Sequence, residues 1–160
     1  MYAMLTLALL LVLGPQAAVV PTEQPVASYV HDSANAGATP FRGTAMWRAF
    51  HEAAGIARIV DDTVDRSLID PRISDIFKGH DMVRLRRTLK EQFCYILHGP
   101  CDYSGRTMAA AHKDMGVQQA DFAALVENLQ AAMRKEHIRF DAQNRFLAKL
   151  APMHRTVVKQ

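Results

Sequence analysis

The sequence predicts an all-α domain, on three observations. Apolar residues recur at steps of three and four in four separate stretches. The breaks between those stretches fall at proline, glycine or a capping aspartate. No stretch alternates polar and apolar with the period of two that a half-buried strand requires. With 160 residues, 49% of them hydrophobic, the chain can bury one core. Its formal charge of +3, from 19 basic and 16 acidic residues scattered along the chain, lacks the basic stripe of a nucleic-acid binder, so no such partner is expected.

The first 40 residues stand apart. Met4–Gly14, "MLTLALLLVLG", is uncharged and apolar but shorter than the roughly 20 residues of a membrane span, and it resembles the core of a secretory signal. Residues 1–20 are therefore expected to be a signal peptide or N-terminal apolar anchor, with export to the periplasm and membrane contact only through an uncleaved leader. A cytoplasmic location is the alternative, because no Lys or Arg precedes Arg42 and no clean A-x-A site follows the apolar run. Residues 21–40, with three prolines and many small polar side chains, read as a flexible linker, and the folded domain as 41–160.

Within that domain, Ile56, Ile59, Val60, Thr63, Val64, Ser67 and Leu68 share one face of a helix, with Arg58, Asp61, Asp62, Asp65 and Arg66 opposite. Pro71 ends it, since proline disfavours helical geometry at Asp70, and an apolar turn, "ISDIF", follows. Asp81 reads as the cap of a second helix striped by Leu85, Leu89, Phe93, Ile96 and Leu97, which stops before "HGP" at 98–100. A short helical piece around His112 is bounded by Gly105 and Gly116. Phe122, Leu125, Val126, Leu129 and Met133 mark a third long helix. Phe146, Leu147, Leu150, Met153 and Val157 mark a fourth, which Pro152 should kink or shorten.

Most chemical signatures are missing. "HEAAG" at 51–55 lacks the second histidine of a metalloprotease helix, and there is no P-loop, glycine-rich dinucleotide turn or C-x-x-C. Asp61 and Asp62 are adjacent and diverge on the helix surface, as a solvated pair does. His112 remains. By periodicity alone it is a packed ring, yet a haem pocket asks only for one neutral imidazole and apolar walls from several helices.

The segment Leu68–Met115 resembles a group I truncated haemoglobin of the bacterial type: "DPRISDIF", an apolar distal helix, a GP-containing bend, then "YSGRTMAAAH" at Tyr103–His112, whose tyrosine, glycine, methionine and histidine hold the family spacing. The resemblance runs from about Trp47 to Val158. It implies a two-over-two helical sandwich around haem b, with His112 as the proximal iron ligand and Phe77 packed on the haem. Phe93, Phe122 and Val126 are further candidate walls, and Met108 and Met115 would fill space beside the imidazole. The alanines Ala109–Ala111 would let the proximal segment approach its neighbours, with Gly105 and Gly116 freeing its ends. Arg87 and Arg106 stand where a guanidinium would meet a haem propionate.

The chain departs from the family where ligand chemistry is decided. The position of the distal tyrosine falls at Val64, beside Thr63, and the distal-helix positions fall at Leu85, Thr88 and Leu89. A donor there is worth about 1.5–3 kcal/mol to a bound gas that gathers negative charge. An apolar pocket with fast oxygen release is therefore expected, with Thr88 the one weak candidate donor. His51 and Glu52 replace paired glycines, and His98 replaces the first glycine of the bend, which puts the close turns at those points in question. His80 and His98 flank the distal helix off the Leu85–Leu89 face and are not expected to reach the iron. His31, His137 and His154 read as surface residues. Cys94 and Cys101 would pair in an oxidising compartment and stay reduced in a cytosol. The resemblance implies a haem-binding globin that reversibly binds O2, NO or CO. The alternative is a haem enzyme, a nitric oxide dioxygenase or a peroxidase-like protein, needing an external reductase. A helical module that has lost its haem is a third reading, disfavoured by His112 and Phe77.

Overall fold

The computed structural model describes residues 22–158; the leader expected at 1–20 lies outside the described residues. Seven α-helices carry the fold among these: α1 (Ala45–Ala49), α2 (Glu52–Ile69), α3 (Met82–Ile96), α4 (Met108–His112), α5 (Gln119–Lys135), α6 (Phe140–Leu150) and α7 (His154–Val157). No strand occurs among the described residues, and none of their helices is long and apolar enough to cross a membrane. Pro152 does break the last predicted helix, into α6, a 3-10 turn at Ala151–Met153 and α7.

The long helix α2 packs along both α3 and α5. Of the predicted face it buries the residues from Ile56 to Ser67, and Leu68 alone is exposed. On α3 the Asp81 carboxylate accepts the Arg84 backbone N–H at 3.0 Å, the cap read from sequence. The apolar stripe of α3 divides. Phe93, Ile96 and Leu97 sink into the core, whereas Leu85 and Leu89, nearer the N-terminus, stay half-buried along a cavity. Phe146 of α6 centres the core, edge-on to Phe50 at 5.0 Å and to Phe93 at 4.9 Å.

The turns placed in question keep their shape without glycine. His51 and Glu52 both adopt the left-handed conformation at φ 58°, and His98 does so at φ 65°. Such backbone costs about 1–2 kcal/mol per non-glycine residue, and each turn has local support. The His51 Nδ1 lies 3.0 Å from Glu136, and the His98 Nδ1 donates to the Phe41 carbonyl at 2.6 Å. Gly99 cannot be replaced as easily, because a Cβ there would stand 2.5 Å from the Trp47 ring. Beside it Cys94 and Cys101 form a disulfide, with Cα atoms 6.1 Å apart, joining the end of α3 to the loop before α4.

The segment 22–40 is not the free linker its composition suggests. Ala36 is fully buried in the core, Asp32 caps a 3-10 turn at Ser33–Ala36, and the Tyr29 hydroxyl donates to the Ser104 carbonyl at 2.9 Å. Composition misleads because a few anchoring side chains suffice to hold a proline-rich stretch against a preformed surface.

Candidate functional site

Between α2, α3, α4 and α5 lies a cavity of about 400 Å³, within the range of small-molecule and cofactor sites. One wall is α3, with Leu85, Thr88 and Leu89, backed by Thr63, Val64 and Ser67 of α2. Phe77 and Ile73 come from the turn between those helices. Met108, His112 and Met115 come from α4 and its end, and Phe122 from α5. Eight of the ten residues singled out from sequence therefore meet at one cavity.

The other two do not. Phe93 and Val126 lie outside the cavity lining. Phe93, two helical turns past Leu85, has rotated with the stripe onto Phe146 and is a core residue. Val126 is half-buried on α5, one turn beyond Phe122, and does not reach the cavity lining. Arg87 also departs from expectation. Its guanidinium is held by Glu23, by Glu91 at 2.7 Å and by Ser104 at 2.6 Å, and it is not part of the cavity wall. Arg106 does line the cavity, as does Arg84, which the sequence reading passed over. Ile73, Val117, Leu125 and Val157 were also missed as lining residues. Only spatial proximity marks them, since each is an ordinary apolar residue in sequence.

The proximal piece is built from five residues. The Thr107 hydroxyl caps it by accepting the Ala110 N–H at 3.2 Å, and Gly116 at φ 63° turns the chain beyond it. Met108 and His112, four residues apart, share the inward face. Ala109–Ala111 are exposed, contrary to the close-approach role expected of them. Ala109 and Ala110 fall on the outer face, whereas Ala111, though exposed, also borders the cavity. The His112 Nδ1 lies 2.8 Å from the Met108 carbonyl. A carbonyl only accepts, so Nδ1 carries a proton, and in the neutral ring Nε2 is left with the lone pair that ligates a metal.

The hydroxyls of the α2–α3 wall are already committed, while His80 and Arg84 also line the cavity. The Thr88 hydroxyl donates to the Arg84 carbonyl at 2.9 Å, Thr63 to Ile59 at 2.7 Å and Ser67 to Thr63 at 2.8 Å. Each hydroxyl has one proton, and each has spent it on its own helix. The Gln92 amide is likewise engaged, donating to the Ala36 carbonyl at 2.8 Å. Val64, at 2% exposure, offers only methyl groups.

The residues fit a haem. The walls are largely apolar, Arg84 and Arg106 are on the lining, and His112 offers an imidazole from the proximal side; His80 also lines the cavity. His154, expected at the surface, packs edge-on against Phe122 at 5.0 Å. Its Nε2 is buried with no hydrogen-bond partner, beside the cavity wall formed by Phe122 and Val157. A buried polar atom left unpaired is costly, and this one lies behind the cavity wall, outside its lining.

Residues 46–159 match the family model of bacterial-like globins. A group 1 truncated haemoglobin of Tetrahymena thermophila is 35% identical over 68 residues, which are 42% of this chain and 56% of that protein. One from Nostoc commune is 33% identical over 78 residues, 49% of this chain and 66% of that one, so the aligned regions span less than two thirds of either relative. The fold superposes on the crystal structure of the Tetrahymena pyriformis truncated haemoglobin in its Fe(III) form. The TM-score is 0.69 at 23% identity, covering 72% of this chain and 98% of that one. These likenesses agree with the two-over-two helical fold and the resemblance drawn from Tyr103–His112. By the match across most of its length the chain belongs to the bacterial-like globin family, and its cofactor is a haem with its iron.

Proposed function

We propose that this haem-binding globin reversibly binds a diatomic gas, O2, NO or CO, at a haem iron held by His112. When bound, the ferrous haem supplies an open coordination position for such a gas. The observation that carries this reading is the hydrogen bond from the His112 Nδ1 to the Met108 carbonyl, which in the neutral ring leaves Nε2 as the ligating nitrogen on a cavity wall. That bond fixes the tautomer and the ring orientation, as partners of metal-bound histidines do. Phe77, Leu85, Leu89 and Phe122 exclude water around it. The spent hydroxyls of Thr63, Ser67 and Thr88 support the further reading that the gas is held without a strong hydrogen bond and released quickly.

A donor-poor wall also suits peroxide-type acid–base chemistry badly, because that chemistry needs a polar group beside the reacting atoms. Gas binding is therefore the preferred reading over an oxidative enzyme. Export to an oxidising compartment is part of the proposal, supported by the apolar Met4–Gly14 and by the paired Cys94 and Cys101. Absorption spectra of the ferric, ferrous and carbon-monoxy forms test the central claim. A Soret band that shifts on reduction and on adding carbon monoxide is expected; a colourless protein after expression with haem supply refutes it.

A further inference from the structure

The segment ahead of the family-matching region crosses the mouth of the cavity, and two of its residues, Val26 and Tyr29, belong to the lining. On one side it is fastened to α3. The Glu23 carboxylate pairs with both Arg87, whose Nη2 is at 3.0 Å, and Arg84, whose Nε is at 3.3 Å. The Gln24 N–H donates to Asp81 at 2.7 Å, and Arg84 in turn donates to the Gln24 carbonyl.

On the other side it is fastened to the loop that leads into α4. The Tyr29 hydroxyl donates to the Ser104 carbonyl at 2.9 Å, with the Arg106 guanidinium 5.2 Å over the tyrosine ring. The Tyr103 N–H donates to Ser33 at 3.1 Å, and the Asn35 amide to the Gly105 carbonyl at 3.4 Å. The segment is tied at both rims of the cavity, to the helix carrying Leu85 and Leu89 and to the loop preceding His112.

We propose that Glu23–Tyr29 forms a strap that closes the haem cavity and slows loss of the cofactor, with Val26 and Tyr29 as cofactor-contacting residues and Glu23 as the latch. A flat macrocycle leaving between α3 and the 103–106 loop has to displace this segment, so each tie that holds the strap adds to the barrier. The Arg84 and Arg106 guanidiniums, both on the lining, are thereby kept at the mouth instead of swinging into solvent. The proposal rests on the haem-binding reading above.

The test is the rate at which the full-length, haem-loaded ferric protein gives up haem to excess apomyoglobin, followed by absorbance in the Soret region. The double variant Glu23→Gln/Tyr29→Phe removes the charge-assisted pairs of Glu23 with Arg84 and Arg87 and one neutral hydrogen bond. It should lose haem about tenfold faster than the wild type, with an unchanged far-ultraviolet circular dichroism spectrum. Arg139→Gln, which removes an ion pair with Asp141 elsewhere on the surface, should lose haem at the wild-type rate. A rate within twofold of wild type in the folded double variant overturns the strap. So does slower loss, since that would make Glu23 a competitor for the arginines and not a latch. A wild-type chain that takes up no haem sinks the cofactor reading together with the strap, whereas normal uptake with unaltered loss sinks the strap alone.

Discussion

The His112 Nδ1 donates to the Met108 carbonyl one helical turn back, at 2.8 Å, and so a helix of only five residues fixes the tautomer of the ring it carries. His112→Gly should abolish the Soret band or shift it grossly in protein expressed with haem supply, and added imidazole should restore it in part. An unchanged visible spectrum would remove His112 from the iron.

Thr88 lies on the cavity wall, yet its hydroxyl proton is committed to the Arg84 carbonyl, while Val64 faces it from α2 with no polar atom. Supplying a donor should therefore lengthen gas retention. Val64→Tyr is expected to slow oxygen dissociation by about tenfold to hundredfold, the equivalent of about 1.5–3 kcal/mol for a charge-assisted bond. Stopped-flow displacement by carbon monoxide measures it. A slow rate in the wild type already would contradict the donor-poor pocket.

Cys94 and Cys101 close a short loop, with a sequence separation of 7. Constraining the unfolded chain over that span is worth about 2–3 kcal/mol. Thermal unfolding in a strong reductant should fall by roughly 5–10 °C for a domain of this size. The Cys94→Ala/Cys101→Ala variant should show the same loss and no further response to reductant. Native protein that reacts with a thiol reagent before reduction would show that the pair is open.

Glu136 caps the end of α5 and takes hydrogen bonds from Arg58 at 2.9 Å and from His51 at 3.0 Å. Chiefly the Arg58 bond, with His51 adding and partial desolvation opposing, holds its carboxyl down at about 2, from an ordinary value of 4.5. A folded-state value below the unfolded one means that the stabilisation is complete above the ordinary range and fades as pH falls through the interval from 4.5 to about 2. Glu136→Gln should therefore unfold at a lower temperature than wild type at neutral pH, with the gap closing across that interval. A gap that stays constant with pH would assign the effect to packing. Because Glu136 also steadies left-handed His51, the loss should be felt at the start of α2.

Much of this was legible in the sequence. The face Ile56–Ser67, the Asp81 cap, the break at Pro152 and the spacing of Tyr103, Met108 and His112 are local features. The first three depend on helical periodicity, capping and proline geometry, and the last is a short motif that the family resemblance made readable. The disulfide was open in the sequence, because the separation of two cysteines in space depends on how the bend at His98–Gly99 folds.

The sequence alone determined an all-helical chain, since the 3.6-residue repeat is written in every amphipathic stretch, and its resemblance at Tyr103–His112 singled out His112. Tertiary structure decided the rest. It sent Phe93 to Phe146 and left Phe122 on the cavity, turned His154 inward, and drew the proline-rich segment across the mouth through Glu23 and Tyr29. It also allowed His51, Glu52 and His98 to occupy turns that glycine would suit better. Each of these outcomes depends on contacts between residues far apart in the chain, whose energies no local pattern encodes.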